Sequence, residues 1–401
     1  MPLCEMDKHR QNSKIVKIAF AYTFNDRDWL GGRNYYSSLF SAIESVKDKS
    51  VKIALVMGND TITSLPEQFP ELEILRDSMF DRRTLGSITR RVRRLMTGGR
   101  GDPHLASFLT AHSVDLLSHF GGLGKDSSVK TLGWLPDFQF MKFPTNWTPR
   151  QLKATKNTYD LMCKNCNALI VSSFDALSDL STFAPWCNLP RYVLNFISLP
   201  IDIQNLRSLQ SLKLQYKIPL TYVLLPNQFW AHKNHRLVVD ALAILKKRGI
   251  DITVVCTGQT IDIRRPEHFT LLMNKVEEFG ISENFIALGL IPYSDVQALM
   301  AHASCVLNPS CFEGWSTTVE EAKTLCKQVL LSDIAVHREQ APSNAKYFLT
   351  DDSNTLANYL AESTTVQSST SLENQSARPY LEAQQVFGRR YLEIASLILE
   401  K

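Results

Sequence analysis

Glu313 and Glu321 stand eight positions apart in residues 308–325, which read Asn-Pro-Ser-Cys-Phe-Glu-Gly-Trp-Ser-Thr-Thr-Val-Glu-Glu-Ala-Lys-Thr-Leu. An ionised carboxylate only accepts hydrogen bonds, so two of them suit a ligand rich in hydroxyls. Between them, Gly314, Trp315, Ser316 and Thr317 lead toward a helix start. Free amides and the helix dipole at such a place favour a bound anion. A second polar turn, residues 226–235, holds Gln228, His232, Lys233 and His235. Three potential cations in four residues suit phosphate oxygens, for which a lysine is a mobile point charge. The plainer reading of both stretches is a strand–loop–helix with solvated polar side chains.

The elements that must hold these residues are legible in the pattern. An apolar run at 303–307 reads as a buried strand, Pro309 and Gly314 break the chain, and Thr317 with Glu320 has capping-box spacing. Residues 222–225 predict a strand before the second turn, and Leu237, Val238, Leu242 and Leu245 an amphipathic helix after it. Further strands are expected at 15–21, 51–57, 168–173, 192–196, 252–256, 285–288 and 328–331, and a helix at 293–301. Strands alternating with helical patterns in both halves predict an α/β chain of two doubly wound domains. The expected division is a disordered leader at 1–13, a first domain at 14–200, a second at 201–362, a polar linker at 363–378 and a helix at 379–401, interrupted near Gly388.

Composition is that of an ordinary globular protein, 44% hydrophobic and 21% charged. Charge is uneven: residues 1–200 carry 25 Lys+Arg against 19 Asp+Glu, and the remainder 19 against 21. In residues 88–96, Ile88, Val92, Leu95 and Met96 fall at helical spacing beside Arg90, Arg91, Arg93 and Arg94. Such a basic amphipathic helix covers the core with its charges solvated, lies on an anionic membrane or meets an acidic acceptor. No aromatic stacking platform accompanies the cluster, which argues against nucleic acid. No run of 18 apolar residues occurs and the start is polar, so the expected place is the cytoplasm, or peripherally the inner face of a membrane. Cys163 and Cys166 form a Cys-x-x-Cys with no second pair at zinc-site spacing, and read as reduced structural thiols. Residues 119–126 fail the spacing of a phosphate loop, and no Gly-x-Gly-x-x-Gly marks a nicotinamide site. Asp26 and Asp28 imitate a metal-binding Asp-x-Asp, but in a loop after the first strand the match reads as chance.

The stretch 313–321 resembles the Glu-x7-Glu signature of retaining glycosyltransferases of the GT-B group, family 4. The turn Gln228-Phe-Trp-Ala-His-Lys-Asn-His235 is similar to the Gln-Phe-Trp-x-His-Lys-Asn-His variant of one subgroup. Trp134-Leu-Pro-Asp137-Phe-Gln139-Phe140 resembles that subgroup's Trp-Ile-Pro-Asp-Phe-Gln-His, Gly31-Gly32 its glycine turn, and residues 332–339 its next loop. The resemblance spans about 15–339 and implies two Rossmann-like domains facing a cleft, with a C-terminal helix crossing back to the first. It implies a hexose, mannose in the subgroup, moved with retention from a nucleotide-diphosphate sugar to a glycan or lipid-linked acceptor, as in polysaccharide biosynthesis, without metal or cofactor. Lys233 and the amides of residues 314–317 would meet the diphosphate, Glu321 the ribose and Glu313 the sugar, with Asp137 as a further catalytic candidate. Gln228, Gly314, Trp315, Ser316, Thr317 and Gly32 would complete the donor contacts. Two departures stand out. Gln228 replaces a common arginine, removing a fixed charge, and Phe140 replaces a histidine, so no imidazole can shuttle a proton there. Different classes of function fitting the same frame are a non-catalytic sugar-nucleotide or partner-binding module and a GT-B epimerase or phosphorylase.

Overall fold

Short apolar runs bounded by turn residues form two parallel sheets, each with helices on both faces, the arrangement that buries such strands from both sides. The computed structural model describes residues 15–26, 30–363 and 378–400. The expected leader, and residues 364–377 of the expected linker, lie outside them.

The first sheet contains β1 (Val16–Tyr22), β2 (Val51–Met57), β3 (Glu73–Arg76), β4 (Leu116–Ser118), β5 (Lys130–Leu135), β6 (Ala168–Val171) and β7 (Arg191–Val193). Their spatial order is β3-β2-β1-β4-β5-β6-β7. The second contains β8 (Val223–Leu225), β9 (Val254–Cys256), β10 (Phe285–Ala287), β11 (Cys305–Asn308), β12 (Val329–Ser332) and β13 (Ala345–Phe348), in the order β10-β9-β8-β11-β12-β13. Neighbouring strands pair in parallel, for example Ile18 with Leu116 and Val306 with Leu224. In each sheet the order reverses once, between β1 and β4 and between β8 and β11. Ligands of open parallel sheets bind beyond the carboxyl ends of the strands at such a switch point.

Three strands, β3, β4 and β13, escape the hydrophobic pattern: β3 and β13 are charged in part, and β4 is only Leu-Leu-Ser. Three local expectations are corrected. Gly31 and Gly32 do not form a turn but sit in the first turn of the helix Leu30–Val46. The helix Thr317–Thr324 is capped one residue earlier than the spacing suggests: Ser316 Oγ accepts from Val319 N, while Glu320 turns inward to Gln340 and Lys323. The last helix, Arg378–Leu399, runs through Gly388 without a break.

That last helix returns to the first sheet, as expected. Phe387, Tyr391, Ile394, Ala395 and Ile398 join the core of Phe20, Leu39, Phe40 and Ile43. Gly388 is what lets the two helices touch, since a Cβ there would lie 2.1 Å from Ala42 O. Gly388→Ala should therefore destabilise the chain by about 1–3 kcal/mol, the cost of overpacking, despite alanine's better helix propensity. A melting temperature at or above wild type would contradict this packing.

Cys163, Cys166 and Cys187 are free and buried together. Burial pushes the Cys163 thiol up to about 12, which fits inert structural thiols.

Candidate active site

The loops after β8 and β11 meet at the second sheet's switch point, and one polar network ties them together. Asn308 is fully buried at the end of β11. Its Oδ1 accepts from Asn227 Nδ2 at 3.0 Å and Ser310 Oγ at 2.7 Å, and its Nδ2 donates to Ser316 Oγ at 2.9 Å. Asn234 adopts a left-handed conformation, φ 58°, between the turn Ala231–Lys233 and the helix His235–Lys247. Its side chain donates to Pro309 O at 3.2 Å and Thr350 O at 2.9 Å. This bracing fixes where Lys233 can reach.

Lys233 reaches Glu313. Its Nζ lies 2.7 Å from Oε1 and 2.8 Å from Oε2, and both side chains are largely buried. Burial alone would raise the Glu313 carboxyl, but the Lys233 charge and hydrogen bonds outweigh it and hold the group below its ordinary value. Across the cleft stands Asp137. A Cβ built on Gly314 would lie 2.7 Å from the Asp137 Cβ and 2.6 Å from Pro136 O, so glycine is what permits the approach of the two halves. Asp137 Oδ1 accepts from Gln139 N at 2.9 Å. Burial raises the Asp137 carboxyl, with Glu313 adding to the effect and Lys233 and Arg264 opposing it.

Lys233, Glu313, Gly314 and Asp137 line a cavity of about 590 Å³, joined by Gln139, Trp147, Trp230 and Arg264. Arg264 was not legible in the sequence. It lies in the stretch between β9 and the helix His268–Glu278, with no strand or helix pattern around it. Its guanidinium bonds Asp262 Oδ1 at 3.1 Å and reaches over the cleft to Gln139 Oε1 at 2.8 Å, while facing the rings of Trp230 and Trp147. A second cation therefore enters this cavity from a different loop than the one Gln228 vacates. Phe140 also lines it, packed among Phe138, Tyr159 and Phe183.

The expected trio of cations is corrected. His232 and His235 are buried, and burial first, with neighbouring positive groups, pulls both down to about 3. Both are neutral near pH 7, and Lys233 is the cation of that turn. The loop amides are also not all available, because Ser316 N donates to Gln340 Oε1 at 3.2 Å. Of the remaining three, Gly314 lines the Lys233 cavity, and Thr317 lines a second cavity with Glu321.

The other candidate residues do not line the Lys233 cavity. Gln228 Oε1 accepts from Gln259 N at 2.6 Å and braces the loops after β8 and β9. Trp315 turns toward the first sheet, where its Nε1 donates to Phe196 O at 2.8 Å. Glu321 lines a second cavity of about 310 Å³ with Thr317, Tyr293, Arg33 and Asn34. Tyr293 Oη donates to Glu321 Oε1 at 2.5 Å, and burial pushes this carboxyl up to about 7. Gly32 immediately precedes the Arg33 of this cavity. Asp26 accepts from Tyr22 Oη, Ser64 N and Ser64 Oγ. Among the described residues no group of three His, Cys, Asp or Glu side chains is placed to hold a metal ion.

The halves are latched elsewhere. Glu339 accepts from Phe174 N at 2.8 and 3.0 Å, at the start of the helix Phe174–Phe183, and from Asn195 Nδ2 at 3.0 Å.

Residues 217–369 match the family model described as Glycosyl transferases group 1. Among solved structures, Anabaena HepE in complex with UDP and glucose is 16% identical, with a TM-score of 0.64 over 95% of this chain and 99% of that one. A glycosyltransferase from Rickettsia africae is 14% identical, with a TM-score of 0.65 over 96% and 99%. Sucrose-phosphate synthase from Thermosynechococcus elongatus is 12% identical, with a TM-score of 0.62 over 96% and 99%. No curated protein matches the chain. The fold is GT-B, with two Rossmann-like parallel sheets.

Proposed function

We propose that the chain is a retaining glycosyltransferase that moves a hexose from a nucleotide-diphosphate sugar to a glycan or lipid-linked acceptor. The observation that carries this reading is the Lys233–Glu313 pair at the β8/β11 switch point, with Asp137 facing it from the first sheet. The group 1 family match covers that second sheet, and HepE, whose fold this chain shares, binds UDP and glucose.

Each residue has a task that its chemistry allows. Lys233 and Arg264 stabilise negative charge on the departing diphosphate, assisted by the amides of Gly314, Trp315 and Thr317. Arg264 takes the part of the cation that Gln228 does not supply. Glu313 holds the donor sugar and steadies positive charge at its anomeric carbon. Glu321 accepts from ribose hydroxyls. In same-face attack the bond from the anomeric carbon to the leaving phosphate breaks as the acceptor oxygen bonds that carbon, and the acceptor's proton passes to the leaving phosphate. Phe140 excludes proton transfer at its position, which is consistent with the phosphate as base.

The test is a thermal-shift screen of UDP-, GDP- and ADP-sugars, mannose donors included, followed by an assay of nucleoside diphosphate release with and without acceptor. Release that requires acceptor distinguishes transfer from epimerisation, phosphorolysis or mere binding. Because Lys233 and Arg264 already bring positive charge to the cavity, turnover is expected to persist in EDTA. Complete loss that added Mg²⁺ or Mn²⁺ restores would overturn the metal-independent form of the proposal.

A further inference from the structure

The basic helix Leu85–Met96 is turned the opposite way from a helix that covers a core. None of its residues is buried. Leu85, Ile88, Val92, Leu95 and Met96 are between 51% and 84% exposed. At the α-helical repeat these five fall within an arc of about 100°. Arg91 and Arg93 flank that arc, one on each side, and the opposite side holds the helix to the protein. There Gly86 packs against the turn Ser78–Phe80, where a Cβ would meet Ser78 Oγ at 2.5 Å. Arg90 Nε bonds Asp102 Oδ2 at 2.7 Å, with its guanidinium over Phe80 and Phe120. A reciprocal cap between Thr84 and Ser87 fixes the helix start. The helix is therefore firmly anchored through its polar side and presents its apolar side outward.

We infer that this helix docks the protein on an anionic lipid bilayer, with the apolar arc inserted at the headgroup boundary and the flanking arginines on lipid phosphates. Charge complementarity selects this occupant. Residues 82–101 contain seven arginines and no Asp or Glu. The same stretch has no aromatic residue for stacking on bases. A short, strongly charged helix with a narrow apolar arc lies in an interface and does not span it, and no described helix is long and apolar enough to cross. Arg94, on the inward side, lines a cavity of about 420 Å³ with Phe24, His119, Gly121 and Gly122, at the β1/β4 switch point. That cavity therefore lies behind the helix whose outer arc would meet the bilayer.

The apolar arc and its flanking arginines lie outside the donor cavity, so a vesicle assay reads separately from sugar transfer. The full chain is sedimented with vesicles of phosphatidylcholine alone or mixed with phosphatidylglycerol. Wild type is expected to sediment with the mixed vesicles, and about tenfold less with the neutral ones. R91S/R93S should weaken binding to mixed vesicles by about tenfold or more, since each cation near an anionic surface contributes severalfold. I88S/V92S/L95S should lose binding to both. All five side chains are exposed, and unchanged melting temperatures will show that the variants fold. Wild type remaining in the supernatant, or an apolar-arc variant sedimenting as wild type does, would overturn the proposal. So would a wild-type dimer that ignores vesicles and dissociates in the apolar-arc variant, which would make the face a contact between copies of this chain.

Discussion

Lys233→Met is expected to lower kcat/KM by roughly 10²–10³-fold, the usual loss when one preorganised electrostatic stabiliser is removed. It should also destabilise the fold. Nζ lies within 2.8 Å of both Glu313 oxygens, and the side chains are only 14% and 9% exposed. Removing one partner leaves a buried carboxylate uncompensated, at a cost of about 3–5 kcal/mol. Glu313→Gln combined with Lys233→Met removes both charges, so the double variant should melt above Lys233→Met alone while remaining inactive. Glu313→Gln by itself should act differently. It frees Lys233 for phosphate, so the donor KM should stay level or fall, while kcat drops because no carboxylate then stabilises the positive charge developing on the sugar. Kinetics of nucleoside diphosphate release and thermal melts of the three variants decide the matter. Wild-type turnover in a folded Glu313→Gln protein would show that this pair is structural.

Much of this site was legible because its residues follow strands. Glu313 and Lys233 stand in loops after apolar runs, and periodicity alone put them at strand ends. Pairing them needed the strand order, which brings β8 beside β11 although 81 positions separate Asn227 from Asn308. Arg264 was illegible for a related reason: no periodic element surrounds it, and only the approach to Gln139 gives it a place. His232 and His235 misled because residue type suggests charge while burial denies it. The capping signal was displaced for a local reason. Ser316 precedes Thr317, either can cap, and Gln340 from a distant helix took Glu320 out of the box. In the basic helix the amphipathic pattern was legible, but it left open which side faces the protein. Periodicity says that apolar residues share a side, and Arg90 bound to Asp102 decides which side turns in.

Donor affinity is expected to rise with pH across neutrality, and to lose that dependence in Glu321→Gln. Burial pushes the Glu321 carboxyl up to about 7, and its Oε1 already accepts from Tyr293. Two ribose hydroxyls are best held by the ionised form, which can accept both. From pH 6 to pH 8 the ionised share rises from about a tenth to about nine tenths. The donor KM should therefore fall severalfold over that range with kcat nearly constant, as for a contact made equally in ground and transition states. The stability of the unliganded chain should run the other way. A carboxyl whose folded value lies above its ordinary 4.5 holds a proton that the unfolded chain releases. Its contribution is thus complete below pH 4.5 and is lost as pH rises through about 7. Glu321→Gln, which never ionises, should gain on wild type in melting temperature between pH 5 and pH 8. Because donor binding selects the carboxylate, it should also release a proton at pH 7, visible by calorimetry in buffers of different ionisation enthalpy. A donor KM flat with pH in wild type, or sloping equally in Glu321→Gln, would place the ribose elsewhere and leave Glu321 as a buried partner of Tyr293.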